Sequence, residues 1–471
     1  IGAIIGTGIF VLTGKGALTA GPALSVSFLL AAVCCGFAGL CYAEFAAMAP
    51  VSGSAYSYAY LAFGELIAFV IGWDLILEML MAGSVISKYW GVYLNDFMRL
   101  MGWNANTNLT FGSFHIDIAP IIIVAFFTTL LVFGTKIGAR VDGAMTVLKI
   151  AIVFFVVIVG FFYVKASNFT PFIPPSQPAS TVEGSSAVTG VMTQPLWQFA
   201  TGMTPSVYGV PGILSGAALV FFAFIGFDVV ATASEETKNP HKNVPLGIGV
   251  GMLLIIVMYM LVAVVTTGMV SYADLAKQDS PSLATAFELV GADWAAKIIS
   301  FGIVLGLATV VMVLLLGLTR IVFAMSRDGL LPRGLSKTGK HGTPAALQIV
   351  VGAVVALVAA FFDIGVLSDM VNIGTLSAFT LVAISIPIMR KKRPDLPRAF
   401  KMPGNPWIPI LIAVANFWLM LNLSVLTWIR FVVWLVVGFA IYFGYGYWHA
   451  RLGKGDLTET LSAETDKAVN G

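Results

Sequence analysis

Residues 1–10 read IGAIIGTGIF, an apolar run punctuated by Gly2, Gly6 and Gly8. The run suits a bilayer, yet Gly6-Thr7-Gly8 holds a helix poorly, because each glycine lowers helix propensity by about 1 kcal/mol. A helix interrupted inside hydrocarbon leaves backbone N–H and C=O groups unpaired. That is tolerated only where the break lines a polar cavity or meets a ligand. Gly2 and Gly6, four residues apart, also fit a small-residue packing face between helices. A second apolar run, AALVFFAFIGFDVVAT at 217–232, favours the first reading. There Gly226 follows Phe224 and Ile225 as Gly6 follows Ile4 and Ile5.

The chain has 471 residues, 58% hydrophobic and only 10% charged. Soluble domains carry about 25% charged residues, so this composition belongs to a polytopic membrane protein. The net charge of +3 carries no nucleic-acid signature. Cys34, Cys35 and Cys41 fall in one apolar segment and imply no disulfide framework. The histidines His115, His241, His341 and His449 are scattered, with no metal-ligand spacing.

Segments long enough to span about 30 Å of hydrocarbon recur at 1–18, 22–49, 57–98, 118–134, 143–164 and 212–237, then at 244–271, 294–326, 345–362, 366–390, 407–427 and 429–450. The predicted fold class is therefore all-α, with twelve spans and a polar tail, 451–471, expected to be disordered. Lys136 and Arg140, Lys238 and Lys242, Arg327 to Lys340, and Arg390 to Lys401 occupy alternate loops. That asymmetry puts these loops and both termini in the cytoplasm. The connection 165–211, rich in Pro, Ser and Thr, is read as an irregular outer loop. The two glycine breaks lie in the first and sixth spans, so five spans separate them and their copies run in opposite directions. This points to an inverted repeat with a binding site between two discontinuous helices.

Ionisable residues at depth default to functional hypotheses. Asp228 follows the second break; it is a candidate for gating or for a helix-capping hydrogen bond. Glu78, one turn from Ala82, is a candidate for charge or for pairing within the bundle. Lys149, near the start of the fifth span, either snorkels or serves coupling. No nucleophile–base pair, Walker motif or selectivity-filter sequence is visible, so an enzyme and a channel are both disfavoured.

The stretch SEETKNPHKNVPLGI at 234–248 reads as a helix end, a proline-limited turn and a new helix start. With Glu235, Asn239, Pro240 and Pro245 it resembles the amino acid–polyamine–organocation superfamily. RIVFAMSRDGLLP at 320–332 is similar to that superfamily's eighth span. Ile373-Gly374-Thr375-Leu376, PDLPRAFK at 394–401 and the opening GAIIGTGIFVLTG resemble its cationic amino acid transporter branch. The resemblance runs from Ile1 to about His449. It implies the five-plus-five inverted-repeat fold named for the bacterial leucine transporter LeuT, with two spans added. The repeats would be 1–164 and 212–390, flanking the loop 165–211, with spans eleven and twelve in 391–450. A further stretch of roughly 30 residues is expected before residue 1.

The implied function is secondary active, proton-coupled uptake of a small L-amino acid such as alanine, with a cationic substrate or amino acid exchange as alternatives. The coupling ion would be a proton and no cofactor is expected; partners would be the bilayer and the amino acid, with a small accessory membrane subunit left open. The resemblance places the substrate carboxylate on the N–H groups of Gly6, Thr7 and Gly8. It places the ammonium on the carbonyls of Ile4, Phe222, Ala223 and Ile225, with Phe222 at the aromatic gate position. Ala82 and Met312 are expected beside the substrate side chain. Lys149 would hold the carbonyls of Gly2 and Ile5 and the hydroxyl of Thr309, where related sodium-coupled proteins bind an ion.

Overall fold

The computed structural model describes residues 2, 4–48, 56, 63–103, 107–111, 114–181, 190–226, 237, 239–278, 282–339, 343–392, 394 and 398–450. The first run folds as helix α1, Thr7–Ala20. Gly21, at φ +65°, opens a short 3-10 turn, and α2 then covers Leu24–Met48. Helix α3 is the longest, Glu65–Leu100, released from the preceding chain by Gly64 at φ +86°. A hairpin pairs Asn108–Phe111 with Phe114–Asp117 and leads into α4, Ile118–Phe133. Gly134, at φ +137°, separates α4 from α5, Thr135–Phe161. Helix α6, Gly209–Val220, tightens into a 3-10 turn over Phe221–Phe224.

Helix α7, Pro240–Met269, begins on a proline, whose missing N–H belongs to a position that has no intrahelical partner anyway. Then come α8, Asp293–Arg327, α9, Ala345–Phe361, and α10, Ile364–Lys392. The last turn of α10 carries Arg390, Lys391 and Lys392, matching the negative end of the helix dipole. Helix α11 is Trp407–Leu421 and α12 is Val425–Ile441, continued by a wide turn and a last short helix to His449.

Among the described residues, seven helical runs are long and apolar enough to cross a membrane. One of these, Gly8–Ala47, contains both α1 and α2. Four shorter apolar helices accompany them: Ile118–Phe133, Gly209–Phe224, Ala345–Phe361 and Trp407–Leu421. The chain is thus a helical, multi-pass membrane protein. Its core forms where α3 packs against α8 and α10, α2 against α7, and α1 and α2 against α6. Trp73 of α3 stacks on Trp434 of α12 with ring centroids 4.4 Å apart. Each indole N–H donates to the other residue's carbonyl, at 2.9 and 3.2 Å.

The described part of the connection 165–211 is not wholly irregular. It contains a helix, Leu196–Thr201, and two short 3-10 turns. Its backbone is laced to the α11–α12 corner, where Leu196 donates to Leu423, Val425 to Gln194 and Leu426 to Met192. Trp197 Nε1 donates to Asn422 Oδ1, and Tyr208 N donates to the Thr19 carbonyl at the end of α1. These pairings join residues far apart in the chain, which composition does not reveal.

Candidate functional site

The first break is caught at Gly6, which sits at φ −150°, ψ −145° immediately before α1. No side chain caps this helix start. The N–H groups of its first turn have no intrahelical carbonyls to meet and point to a ready anion site. The second break follows Phe224. Ile225 turns extended, at φ −68°, ψ 144°, and Gly226 takes φ +117°.

The two breaks touch. A Cβ built on Gly8 would stand 2.1 Å from Ala223 Cα and 2.8 Å from Ala223 N. Only hydrogen fits there, so glycine at position 8 lets the two backbones meet. Beside this contact lies a cavity of about 20 Å³ lined by Ile4, Gly6, Gly8, Ala82, Ile86, Phe222, Ile225 and Leu314. It has room for about one water, so the two breaks are nearly closed on each other.

Of the residues named for the substrate, Ile4, Gly6, Gly8, Ala82, Phe222 and Ile225 line this cavity. Ala223 is buried directly behind Gly8. Met312 is buried too, but Leu314 of the same helix lines the cavity instead. The side chain of Thr7, and Asp228 altogether, lie outside the described residues.

Lys149 is fully buried on α5, and its Nζ donates to the Gly2 carbonyl at 2.8 Å. Its aliphatic stem lies against α8 at Gly306, where a Cβ would come within 3.0 Å of Lys149 Cγ. The Lys149 head is thus held inside the protein, on the Gly2 carbonyl just before α1. Ile5 is fully buried, and the Thr309 hydroxyl donates to Gly306 O at 3.0 Å. Glu78 is fully buried one turn before Ala82.

Two polar residues escape the sequence reading. Tyr259 of α7 is fully buried and its hydroxyl donates to the Ile4 carbonyl at 2.9 Å. It is braced by Phe28 and Phe224, with centroids at 6.1 and 5.2 Å. A tyrosine inside an apolar span needs an acceptor, and that need is its signal. The second is Asp74, one turn before Glu78 and fully buried. Ser377 of α10 donates to Asp74 Oδ2 at 2.7 Å, while Oδ1 has no hydrogen-bond partner among the described residues. The rule that selects Glu78, an acid at depth, selects Asp74 equally.

The arrangement offers backbone donors from one break, backbone acceptors from both, apolar walls and a buried ammonium alongside. Among the described residues no nucleophile is aimed at the cavity, and no cluster of His, Cys, Asp and Glu has metal-binding geometry.

The chain is 44% identical to the branched-chain amino acid permease BcaP of Bacillus subtilis (strain 168), across 96% of this chain and 92% of that protein. It is 40% identical to the methylthioribose transporter of the same organism, over the same shares. It is 35% identical to the vacuolar cationic amino acid transporter 4 of Arabidopsis thaliana, over 84% of this chain and 62% of that protein. All three are named as transporters or permeases, not enzymes. The amino acid permease family model matches residues 1–446. The chain therefore belongs to the amino acid permease family, within the amino acid–polyamine–organocation superfamily.

Proposed function

We propose that this protein is a proton-coupled transporter of uncharged L-amino acids, from alanine to the branched-chain residues, working by alternating access across the cell membrane with both termini inside. One observation carries the reading. The cavity between the two breaks is walled by backbone and by the side chains of Ile4, Ala82, Ile86, Phe222, Ile225 and Leu314, none of them polar. Backbone N–H and C=O groups suit the carboxylate and ammonium common to all amino acids, and the apolar wall suits an aliphatic side chain. A guanidinium pressed on such a wall without an acceptor costs several kcal/mol of desolvation. The close approach of Gly8 and Ala223, five predicted spans apart, supports two inverted repeats, 1–164 and 212–390, rocking about this point. The relative named for branched-chain amino acids supports the upper end of the size range.

Lys149 supplies the coupling. In its charged form it holds the Gly2 carbonyl beside the first break. Losing its proton weakens that hold, so proton release and movement of the broken helix are linked. A cationic substrate is the second reading, favoured by buried Glu78 one turn from Ala82. Exchange without proton coupling is the third.

The deciding experiment is uptake of labelled L-alanine and L-leucine into liposomes, with and without an imposed pH gradient, in competition with arginine and methylthioribose. Inward accumulation driven by external acid, with weak competition by arginine and methylthioribose, is expected. Lys149→Ala should lose gradient-driven accumulation while still binding substrate. Accumulation by Lys149→Ala equal to wild type would end the coupling role, and strong arginine competition would favour the cationic reading.

A further inference from the structure

Between the end of α10 and the start of α11 the chain doubles back on a buried carboxylate. From Arg390 to Trp407 the sequence holds six cations, Arg390, Lys391, Lys392, Arg393, Arg398 and Lys401, against a single acid, Asp395. Arg393 and Asp395 lie outside the described residues. The organising group comes from α2. Glu44, only 2% exposed, accepts from Arg390 Nε at 2.9 Å and from Arg390 Nη2 at 2.6 Å. It also accepts from the Met402 N–H at 2.7 Å, while Arg390 Nη2 donates to the Met402 carbonyl at 2.7 Å. Arg398 Nε adds its charge 3.7 Å from Glu44 Oε1. Position 402 is thereby pinned beside position 390.

The pin brings two lysines to one corner. Lys391 follows Arg390 and Lys401 precedes Met402; both are exposed, and neither is in an ion pair among the described residues. Glu44 does not answer them, because its two oxygens are taken by Arg390 and the Met402 N–H. Trp407, 78% exposed, stands at the first position of α11. Trp407, Leu411, Val414 and Trp418 recur at helical spacing and are all exposed, so one stripe of α11 faces lipid and starts at this corner. An exposed indole at a helix end belongs at the headgroup level of a bilayer. The lysines therefore sit where lipid phosphates lie.

Orienting the chain in the membrane asks only for Lys and Arg somewhere in these loops. It does not ask a buried carboxylate to fold a strap that sets two lysines beside a lipid-facing tryptophan. An inorganic anion would suit the lysines and leave the apolar stripe unused. An amphiphile with an anionic head and an acyl chain matches both parts. We propose that this corner is a binding site for an anionic glycerophospholipid of the adjoining leaflet. Its phosphodiester lies between Lys391 and Lys401, and an acyl chain runs along Trp407, Leu411 and Val414. Glu44 ties the strap to α2 and Arg390 ties it to α10, so a lipid held here braces α2, α10 and α11 at one end.

The test is equilibrium binding of lipid to the purified full chain in mixed detergent micelles, with monodispersity and helix content checked for each variant. The probes are dioleoylphosphatidylglycerol, dioleoylphosphatidylcholine, and glycerol 1-phosphate as a head without chains. Wild type should bind the phosphatidylglycerol at least about tenfold more tightly than the phosphatidylcholine. Lys391→Gln combined with Lys401→Gln should erase that preference, and Trp407→Ala should weaken phosphatidylglycerol binding. Lys242→Gln combined with Lys337→Gln removes the same charge from two other loops and should leave the preference intact. Equal binding of the two lipids by wild type overturns the site. Equal losses in the two double variants overturn it too, since general surface charge then accounts for the binding. Displacement of phosphatidylglycerol by an equal concentration of glycerol 1-phosphate, or unchanged binding in Trp407→Ala, overturns the lipid assignment and leaves a site for free phosphate.

Discussion

The two glycine breaks look alike in sequence and are built differently. At the first break Gly6 keeps a negative φ, −150°, and a Cβ on it would meet Val310 at an ordinary 3.5 Å. The indispensable glycine there is Gly8, which leaves no space before Ala223. At the second break the requirement is conformational: Gly226 holds φ +117°, a region that L side chains rarely adopt. One break is thus made by close approach of two chain segments and the second by a backbone angle. The same residue type answers two separate physical demands, and a motif match does not say which.

Substitutions can break this distinction. The largest effect is expected for Gly8→Ala, because the obstacle is backbone and cannot swing aside. L-leucine binding to the inner cavity should fall at least about a hundredfold, some 2.7 kcal/mol, with the two broken segments driven apart. Near-normal affinity would show that the two breaks do not touch during binding. Gly226→Ala should come next. Backbone strain of about 1–3 kcal/mol is expected to lower affinity or the folding equilibrium by roughly five- to 150-fold. Gly226→Asn should lose as much, because φ +117° lies beyond the region near +50° to +70° that asparagine visits, and wild-type affinity and stability in either variant would overturn the conformational account.

Tyr259→Phe removes the hydroxyl that holds the Ile4 carbonyl. The net worth of such a bond is about 1 kcal/mol, so a roughly fivefold change in substrate affinity is expected from a dose–response uptake assay. No change would mean that the Ile4 carbonyl finds its partner elsewhere. The smallest effect belongs to Gly6→Ala, expected within about twofold of wild type by the same assay, because its Cβ has ordinary contacts. A large loss at Gly6 would show that the substrate itself, rather than the protein, comes too close for a side chain.

How much of the molecule is legible in its sequence varies with the physics involved. Helix positions are legible, because apolar length is a one-dimensional property: the reading 294–326 becomes Asp293–Arg327, and 345–362 becomes Ala345–Phe361. The breaks are legible for the same reason, since the cost of glycine in a helix is paid locally, whatever packs around it. Choosing Met312 over Leu314 for the wall is not decidable from sequence, because a helix turns about 100° per residue and its rotation is set by neighbours distant in the chain. The lacing of 190–198 to the α11–α12 corner is invisible because backbone hydrogen bonds carry no side-chain signature. Tyr259 and Asp74 do carry a signal, each a polar group in an apolar run whose burial demands a partner; what the sequence leaves open is which partner.

The mutual indole bonds between Trp73 and Trp434 bear on how the chain is made. Trp73 enters the membrane with the third helix, whereas its partner arrives with the twelfth, 361 positions later. Until then the Trp73 N–H lacks this acceptor, a costly condition for a polar group in hydrocarbon. Synthesis of α12 therefore closes a long-delayed contact on α3, the helix that also supplies Ala82 to the cavity wall. A chain that stops before residue 434 lacks the carbonyl that the Trp73 indole uses, and α3 is then without this brace.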